Sequence, residues 1–470
     1  MNQLEGSEGS KYASPNKRNA HRPYLALAMC AAGIFAMGTP AAAQGGTPVA
    51  LTLTQAIDLA LKQNRSLKSA QLSVTDSEHK KEMARSSYFP HIRNESSILH
   101  VTEFAGVEIP AGAFGVPAAT GPIPSRSLFI DQGALTSYTS GTQLIQPFTQ
   151  MFKIHESNRA AAADINTAKI QLTQAENEVA LKVRQLYFGL LIAQLKLEAA
   201  KDEVNASEVK NQESADAVAN GRALDVAALE SRAAVLDAKQ IALTQTLQIH
   251  DLTLSLDDLL GLPLGSRLQL DPDTSAVTLP IPSRVECIRI AREQSPAIRT
   301  AQQAVLKAKA GLGAARDAYI PDVTGLARYS YQSGVPLLVH NFGTFGFNLS
   351  YELFDGGRRN AEIKDARTLL SQAQVNLDKV EDEVTVEVES AYDKVEQLRS
   401  LVQVAEEALH VRTEAARLAD RQFEQNAALA STRSEARAKA ASAKASLLEA
   451  TLGLSLAQGD MKRAIGQMPR

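Results

Sequence analysis

Side chains that could do chemistry are few in this chain, and their spacing does not favour it. The eight histidines are scattered, and no two stand at i, i+4 beside a glutamate, the spacing by which one helix face holds zinc and a general base. No glycine-rich loop ends in Lys-Ser or Lys-Thr to cradle a phosphate. His155-Glu156 falls at a helix start and reads as a solvated face. Asp257-Asp258 reads as surface charge rather than acid/base machinery. No catalytic residue, cofactor site or metal site is expected, and the chain is not expected to be an enzyme.

Composition narrows the class further. The net charge of −3 over 470 residues does not suggest a nucleic-acid binder. Aromatic residues make up 5% with no Trp, and from residue 155 onward Ala, Leu, Gln, Glu and Lys dominate, as they do in long helices and coiled coils. Lys17, Arg18 and Arg22 precede an apolar run from Tyr24 to Met37, and Pro40-Ala41-Ala42-Ala43 follows, so residues 1–43 read as a secretory signal cleaved before Gln44. That run is too short for a membrane anchor, which takes roughly 20 apolar residues. The polar lead before Lys17 is unusually long and suggests a true start further down the chain. Cys30 follows the bulky Met29, which disfavours lipidation. Removal of the leader leaves Cys287 alone, with neither an intrachain disulfide nor a cysteine-based metal site.

The elements that must carry any function are long helices, and they occur twice. Apolar residues at Ile165, Ala168, Leu172, Ala175, Val179, Val183, Leu186 and Leu190, continuing through Ala193, Leu197, Ala200 and Val204, step by three and four along one helix seam. Adding 205 gives Leu370, Ala373, Leu377, Val380, Val384, Val388, Ala391 and Val395, down to the same pair of consecutive four-residue steps. Glu176-Asn177-Glu178-Val179 matches Glu381-Asp382-Glu383-Val384, and Tyr187 matches Tyr392. The seam breaks near Asn220-Gly221 and Gln425-Asn426, residues that tolerate left-handed backbone, and a returning helix follows each break. In the first copy that helix carries Leu229, Leu236 and Leu243 at heptad spacing. The small Ala168, Ala175, Ala193 and Ala200 are expected to let neighbouring helices approach closely.

Ahead of each seam, residues 51–87 read as one helix opened by Thr52 or Thr54, matched after Pro282-Ser283 at an offset of 231. Strands follow at about 90–105 and 135–148 in one copy and 321–333 and 343–354 in the other. From Thr344 to Leu353 the odd positions Phe345, Phe347, Leu349, Tyr351 and Leu353 are apolar and the even ones polar or small. Lipid outside and water inside demand such alternation over about 9 to 11 residues, although a half-buried soluble hairpin shows it too. In the first copy the strands alternate poorly, and a Pro/Gly-rich insert at 107–127 reads as a surface loop. The chain thus divides into repeats at 44–281 and 282–470, with long helices at about 153–260 and 358–466.

No mature segment reaches 18 uninterrupted apolar residues, so a membrane could be entered only through strands, which must close into a barrel. Four strands cannot close one, and three copies would supply twelve. At this point the chain resembles the TolC family of outer-membrane efflux channels. The resemblance covers essentially the whole mature chain and is carried by Gln63-Asn64-Arg65-Ser66-Leu67 with Gln294-Ser295-Pro296-Ala297-Ile298, by Tyr319-Ile320-Pro321 before a strand, and above all by Leu353-Phe354-Asp355-Gly356-Gly357-Arg358-Arg359 between strand and helix. The first copy has Phe148-Thr149-Gln150-Met151-Phe152 there and must bend differently.

The resemblance implies a mainly α protein with a small β part: a homotrimer whose twelve-stranded outer-membrane barrel continues into a periplasmic α-helical barrel. It implies docking to a periplasmic adaptor and an inner-membrane transporter, contact with outer-membrane lipid, and no nucleic acid. It places the entrance near the helical turns, where Asp225, Glu230 and Glu435 lie with Arg222 and Arg433. Glu230 and Glu435 correspond at an offset of 205, and threefold symmetry would make each a cation-favouring ring. The family's usual aspartate after the turn is replaced by Ala227 and Thr432. A solvated helix face is the competing reading of these residues, and a periplasmic coiled-coil adaptor or scaffold without a barrel is the competing reading of the whole. A secreted helical enzyme lacks any supporting constellation.

Overall fold

The computed structural model describes residues 49–103, 106–130, 134–271, 281–334 and 339–467. The expected leader at 1–43, Cys30 and the chain start lie outside the described residues. In order, the elements are β1 (Val49–Leu51), α1 (Leu53–Gln63), α2 (Arg65–Ser86), β2 (His91–His100), β3 (Val107–Ile109), β4 (Leu128–Ile130), β5 (Thr136–Pro147), α3 (Met151–Ala219) and α4 (Asp225–Leu260). Then come β6 (Leu268–Leu270), α5 (Arg284–Gln294), α6 (Pro296–Asp317), β7 (Asp322–Ser333), β8 (Asn341–Ser350), α7 (Arg358–Glu424) and α8 (Ala430–Ala464).

The helix expected over 51–87 is two helices. Thr52 starts the first through a capping box with Gln55, and Asn64 ends it in extended backbone. The Asn64 side chain then accepts from the N–H groups of Ser66 and Leu67, so one residue stops α1 and caps α2. Ser295 sits at the matching break before Pro296, whose ring fits the first turn of α6.

The long helices α3 and α7 have 69 and 67 residues, about 100 Å each at a rise near 1.5 Å per residue. They are held by their neighbours: α4 packs on α3, α3 on α8, and α8 on α7, which leaves α4 and α7 at opposite ends of one layer. Two apolar clusters sit midway along them. One joins α1, the C-terminal end of α4, and Val183, Leu186, Tyr187 and Leu190 of α3; the other joins α5 to Val384, Val388 and Val395 of α7 and Met461 of α8.

The corresponding tyrosines are used differently. The Tyr187 hydroxyl donates to the Leu51 carbonyl at 2.8 Å and accepts the Asp271 N–H at 3.0 Å, tying α3 to the parallel pair β1–β6. Tyr392 instead lies 4.8 Å beneath the Arg284 guanidinium, which also binds Glu389 and Asp393.

One surface assignment changes. Asp257 is fully buried; its Oδ2 accepts the N–H groups of Gly265 at 2.8 Å and Ser266 at 3.0 Å and so closes the turn after α4. Burial pushes its carboxyl up against the pull of those two donors. Asp258 alone faces solvent. The small Ala168, Ala193 and Ala200 of the seam are buried against the chain's own helices, Ala193 at 1% exposure.

Strands β2, β5, β7 and β8 form one antiparallel sheet in that order, with β2 and β8 as open edges. The insert at 107–127 is exposed and carries its own small hairpin, β3 paired with β4. Strand β8 ends at Ser350, so Tyr351 and Leu353 continue the alternation outside the sheet.

Candidate functional site

The sheet has two chemically distinct faces. Register places Ile92, Leu144, Ala327 and Phe345 in one row on one face, with Phe347 and Leu349 further along it. Phe345 is 89% exposed and Phe347 78%, far beyond what an ordinary soluble sheet leaves uncovered. The opposite face carries Arg93, Glu95, Gln143 and Arg328; Arg93 pairs with Glu95 at 3.0 Å. Arg328 lies over Gly141, where a Cβ would meet its guanidinium at 2.7 Å. One wall thus suits hydrocarbon and the other water.

Each strand must turn into a long helix, and the two repeats solve this differently. After β8, Asp355 Oδ1 accepts the Gly357 N–H at 2.9 Å and Oδ2 accepts the Arg359 N–H at 3.0 Å. Gly356 and Gly357 have φ of 66° and 89°, a backbone that side chains disfavour, which explains the glycine pair. Arg359, 8% exposed, donates to the Glu352 carbonyl at 2.6 Å and lies 4.8 Å from the Tyr351 ring and 5.8 Å from that of Tyr319. One arginine therefore fastens strand end, helix start and the preceding helix.

In the first repeat no glycine is needed, because Thr149 pins the bend to the other repeat. Its Oγ1 donates to the Pro321 carbonyl at 2.6 Å and accepts the Val323 N–H at 2.7 Å, while Lys153 pairs with Asp322 at 3.2 Å. Sequence reading missed Thr149. Its partners are 172 and 174 residues away, and no local spacing signals them.

At the far end, both helix pairs turn through the same motif. Gly221 with φ 69° and Asn426 with φ 56° occupy the left-handed position, and the N–H groups of Arg222 and Ala427 reach back to the carbonyls of Ala217 and Gln422 at 2.8 Å.

The candidate residues near these turns are not brought together. Asp225, Glu230 and Arg222 are exposed and make no ion pair among the described residues. Arg433 lies 4.0 Å over the Phe423 ring of its own hairpin, with its Nε buried. Glu435 bonds Lys439 at 2.6 Å; that bond, with Lys210 also near, holds its carboxyl below the usual carboxylate range. The position matching Lys439 in the first repeat is Ala234, so the two glutamates are chemically unequal despite their shared offset. The tip also holds a residue that the sequence did not flag. Glu213 of α3 accepts the Ser431 N–H at 3.0 Å and so caps the start of α8 across the two hairpins.

An amphipathic sheet with two open edges, two bends and a pair of roughly 100 Å helical hairpins defines a subunit of a membrane channel with a long helical extension. Residues 56–262 and 287–467 match the outer membrane efflux protein family, and the chain belongs to it. The outer membrane efflux protein BepC of Brucella suis biovar 1 is 24% identical over 379 residues, which cover 80% of this chain and 76% of that protein. The fold is shared with the CmeC outer membrane channel of Campylobacter jejuni, at TM-score 0.70 and 17% identity over 88% of this chain and 85% of that one. It is shared as well with the MtrE outer membrane channel of Neisseria gonorrhoeae, at TM-score 0.68 and 18% identity over 89% of each chain. The protein is thus an outer-membrane efflux channel subunit of TolC-like fold that extends into the periplasm.

Proposed function

We propose that three copies of the chain close into one tube, a twelve-stranded barrel continued by a ring of helices, and that this tube is the passive exit duct of a tripartite efflux or type I secretion system. The observation that carries the reading is a pair of uncovered stripes on the two end helices of the layer. Leu229, Leu236 and Leu243 repeat every seven residues on α4 and are 66%, 61% and 67% exposed. Val404, Val411 and Leu418 repeat every seven on α7 and are 66%, 55% and 50% exposed. A heptad stripe left open at each end of a helical layer needs a partner stripe, and the other end of a second copy supplies one. The sheet repeats the pattern through its open β2 and β8 edges, which lipid cannot satisfy. An adaptor without a barrel would have no use for those edges or for the exposed Phe345 and Phe347.

Leu236→Glu tests this directly. In detergent it is expected to yield monomers with wild-type helix content, since Leu236 touches little within its own chain. A trimer of unchanged mass by light scattering would refute closure through this stripe.

Substrate delivered by an inner-membrane pump and a periplasmic adaptor would enter at the tips and leave unchanged. Of the two acidic positions that correspond between the repeats, Glu230 and Glu435, we assign the cation-favouring ring to Glu230, because Glu435 is already engaged by Lys439. Glu230→Lys is expected to lower cation preference in planar bilayers by about threefold or more. Glu435→Gln should leave selectivity at neutral pH unchanged.

The sign of the pH effect follows from the lowered carboxyl of Glu435. Its ion pair contributes above the ordinary carboxylate range and is lost as pH falls through the lowered value, so Glu435→Gln should remove an acid-dependent loosening of the tip. Equal selectivity loss in both variants would refute the assignment. Copurification of an adaptor with the wild-type trimer, retained on salt washing, tests the docking role.

A further inference from the structure

The apolar face of the sheet is not apolar along its whole height, and the rows can be read one by one from the pairing register. Nearest the helices stand Val323 and Leu349, then Gln146, Gly325 and Phe347, then Ile92, Leu144, Ala327 and Phe345. The next two rows change character. Asn94, Thr142 and Tyr329 share one, and Ser96, Ser140 and Tyr331 the other.

Four of these polar groups form a closed ladder. Asn94 Nδ2 donates to Thr142 Oγ1 at 2.9 Å, the Ser96 and Ser140 hydroxyls meet at 2.9 Å, and Ser96 donates to Asn94 Oδ1 at 3.0 Å. Beyond them Ile98, which is exposed, shares a row with Tyr138, and the Tyr138 ring packs at a tilt against Tyr331 with centroids 5.8 Å apart.

A tilted strand climbs roughly 2.5 Å per residue, so these mainly apolar rows cover only about half of the ~25 Å that a barrel's hydrocarbon band requires. Large exposed apolar side chains continue below the sheet. At the bend Leu353 is 91% exposed and Phe354 87%, and across it Phe152 is 56% exposed. Tyrosines, with an apolar ring and a polar tip, belong at the boundary between hydrocarbon and headgroups.

We propose that the bilayer grips this barrel low. The outer edge of the hydrocarbon lies at the two rows of Tyr329 and Tyr331, the Asn94–Ser96–Ser140–Thr142 ladder of those same rows meets the polar, hydroxyl- and phosphate-bearing lipid headgroups, and Leu353 and Phe354 complete the hydrocarbon band on the periplasmic side. The proposal rests on the outer-membrane reading of the sheet.

The chain has no tryptophan, so single substitutions report depth without background from other indoles. Full-length Phe345→Trp, Phe354→Trp and Ser96→Trp would each be reconstituted in phosphatidylcholine vesicles and quenched with acyl-brominated phosphatidylcholine or with aqueous iodide. Phe345→Trp and Phe354→Trp should both be quenched by brominated lipid. Ser96→Trp should escape it and be quenched by iodide at least threefold more than Phe345→Trp.

Failure of brominated lipid to reach Phe345→Trp would sink the barrel reading itself. With Phe345→Trp quenched as expected, quenching of Ser96→Trp by deep bromines would overturn the placement alone, and so would a Phe354→Trp shielded from both agents. Should Ser96→Trp fail to fold, Ser96→Cys with a membrane-impermeant maleimide replaces it, because Cys287, the one cysteine among the described residues, is buried. Ready labelling supports the placement, and protection overturns it.

Discussion

Arg359→Ala is expected to destabilise the junction between barrel and helix by about 2–4 kcal/mol, since it removes a charge-assisted bond to a carbonyl and two ring contacts from a nearly buried site. The native arrangement explains the size. Arg359 is fixed from above by Glu352, from the side by Tyr351 and Tyr319, and from the bend ahead of its helix by Asp355. Against a net stability of about 5–15 kcal/mol such a loss is large. Arg359→Lys should recover less than half of it, because an ammonium lacks the planar fork that stacks and donates at once. The adjacent Arg358→Ala should change little, its bridges to Glu352 and Glu362 being solvent-exposed. In the other repeat Thr149→Val should cost about 1–2 kcal/mol, since Pro321 and Val323 then lose their shared hydroxyl. Guanidinium unfolding midpoints of reconstituted protein measure all four. Equal midpoints for Arg359→Ala and Arg358→Ala would show that the junction is not fastened through Arg359.

Much of the architecture was legible because it is written in periodicity. The seam of α3 and its image 205 residues later need only a step of three or four to be seen, and the turns at Gly221 and Asn426 need only residues that accept a left-handed backbone. The alternation of β8 was equally plain, whereas β2 and β5 hid theirs: Asn94, Ser96, Ser140 and Thr142 fall on the apolar face and erase the pattern. Where the reading fell short, the cause was a contact between distant residues. Asn64 splits a helix that periodicity alone would continue, because its side chain bonds forward into the next turn. Asp257 looked like surface charge until the chain folded back and gave it two N–H partners. Glu213 and Ser431 meet across 218 residues, and no spacing rule reaches so far. The acidic positions at the tip came from the resemblance, and the shared offset of Glu230 and Glu435 could not show that Lys439 has no counterpart beside Glu230.

Ala193→Glu is expected to abolish folding of α3 and the helices packed on it, in contrast to Leu236→Glu, which should only separate the copies. The two positions look alike in sequence, each on a helical seam. In the structure Ala193 is covered by its own chain, whereas Leu236 faces outward. The matching position to Ala193 holds Leu398, and the second hairpin makes room for it with Gly453, whose Cβ would stand 4.0 Å from that leucine. In the first hairpin the bulk is on the other helix, where Leu252 leans on Gly189, at 3.7 Å from a Cβ placed there. Each hairpin thus sets a leucine of one helix against a glycine of the other, the two contacts lying one helical turn apart in register. Ala193→Leu should cost about 1–3 kcal/mol by overpacking. A carboxylate there has no partner in view, and an uncompensated buried charge costs about 3–5 kcal/mol or more. Circular dichroism and light scattering separate the cases: Ala193→Glu should lose helix and trimer together, while Leu236→Glu loses the trimer alone. A folded trimer of Ala193→Glu at wild-type yield would show that this face is not packed.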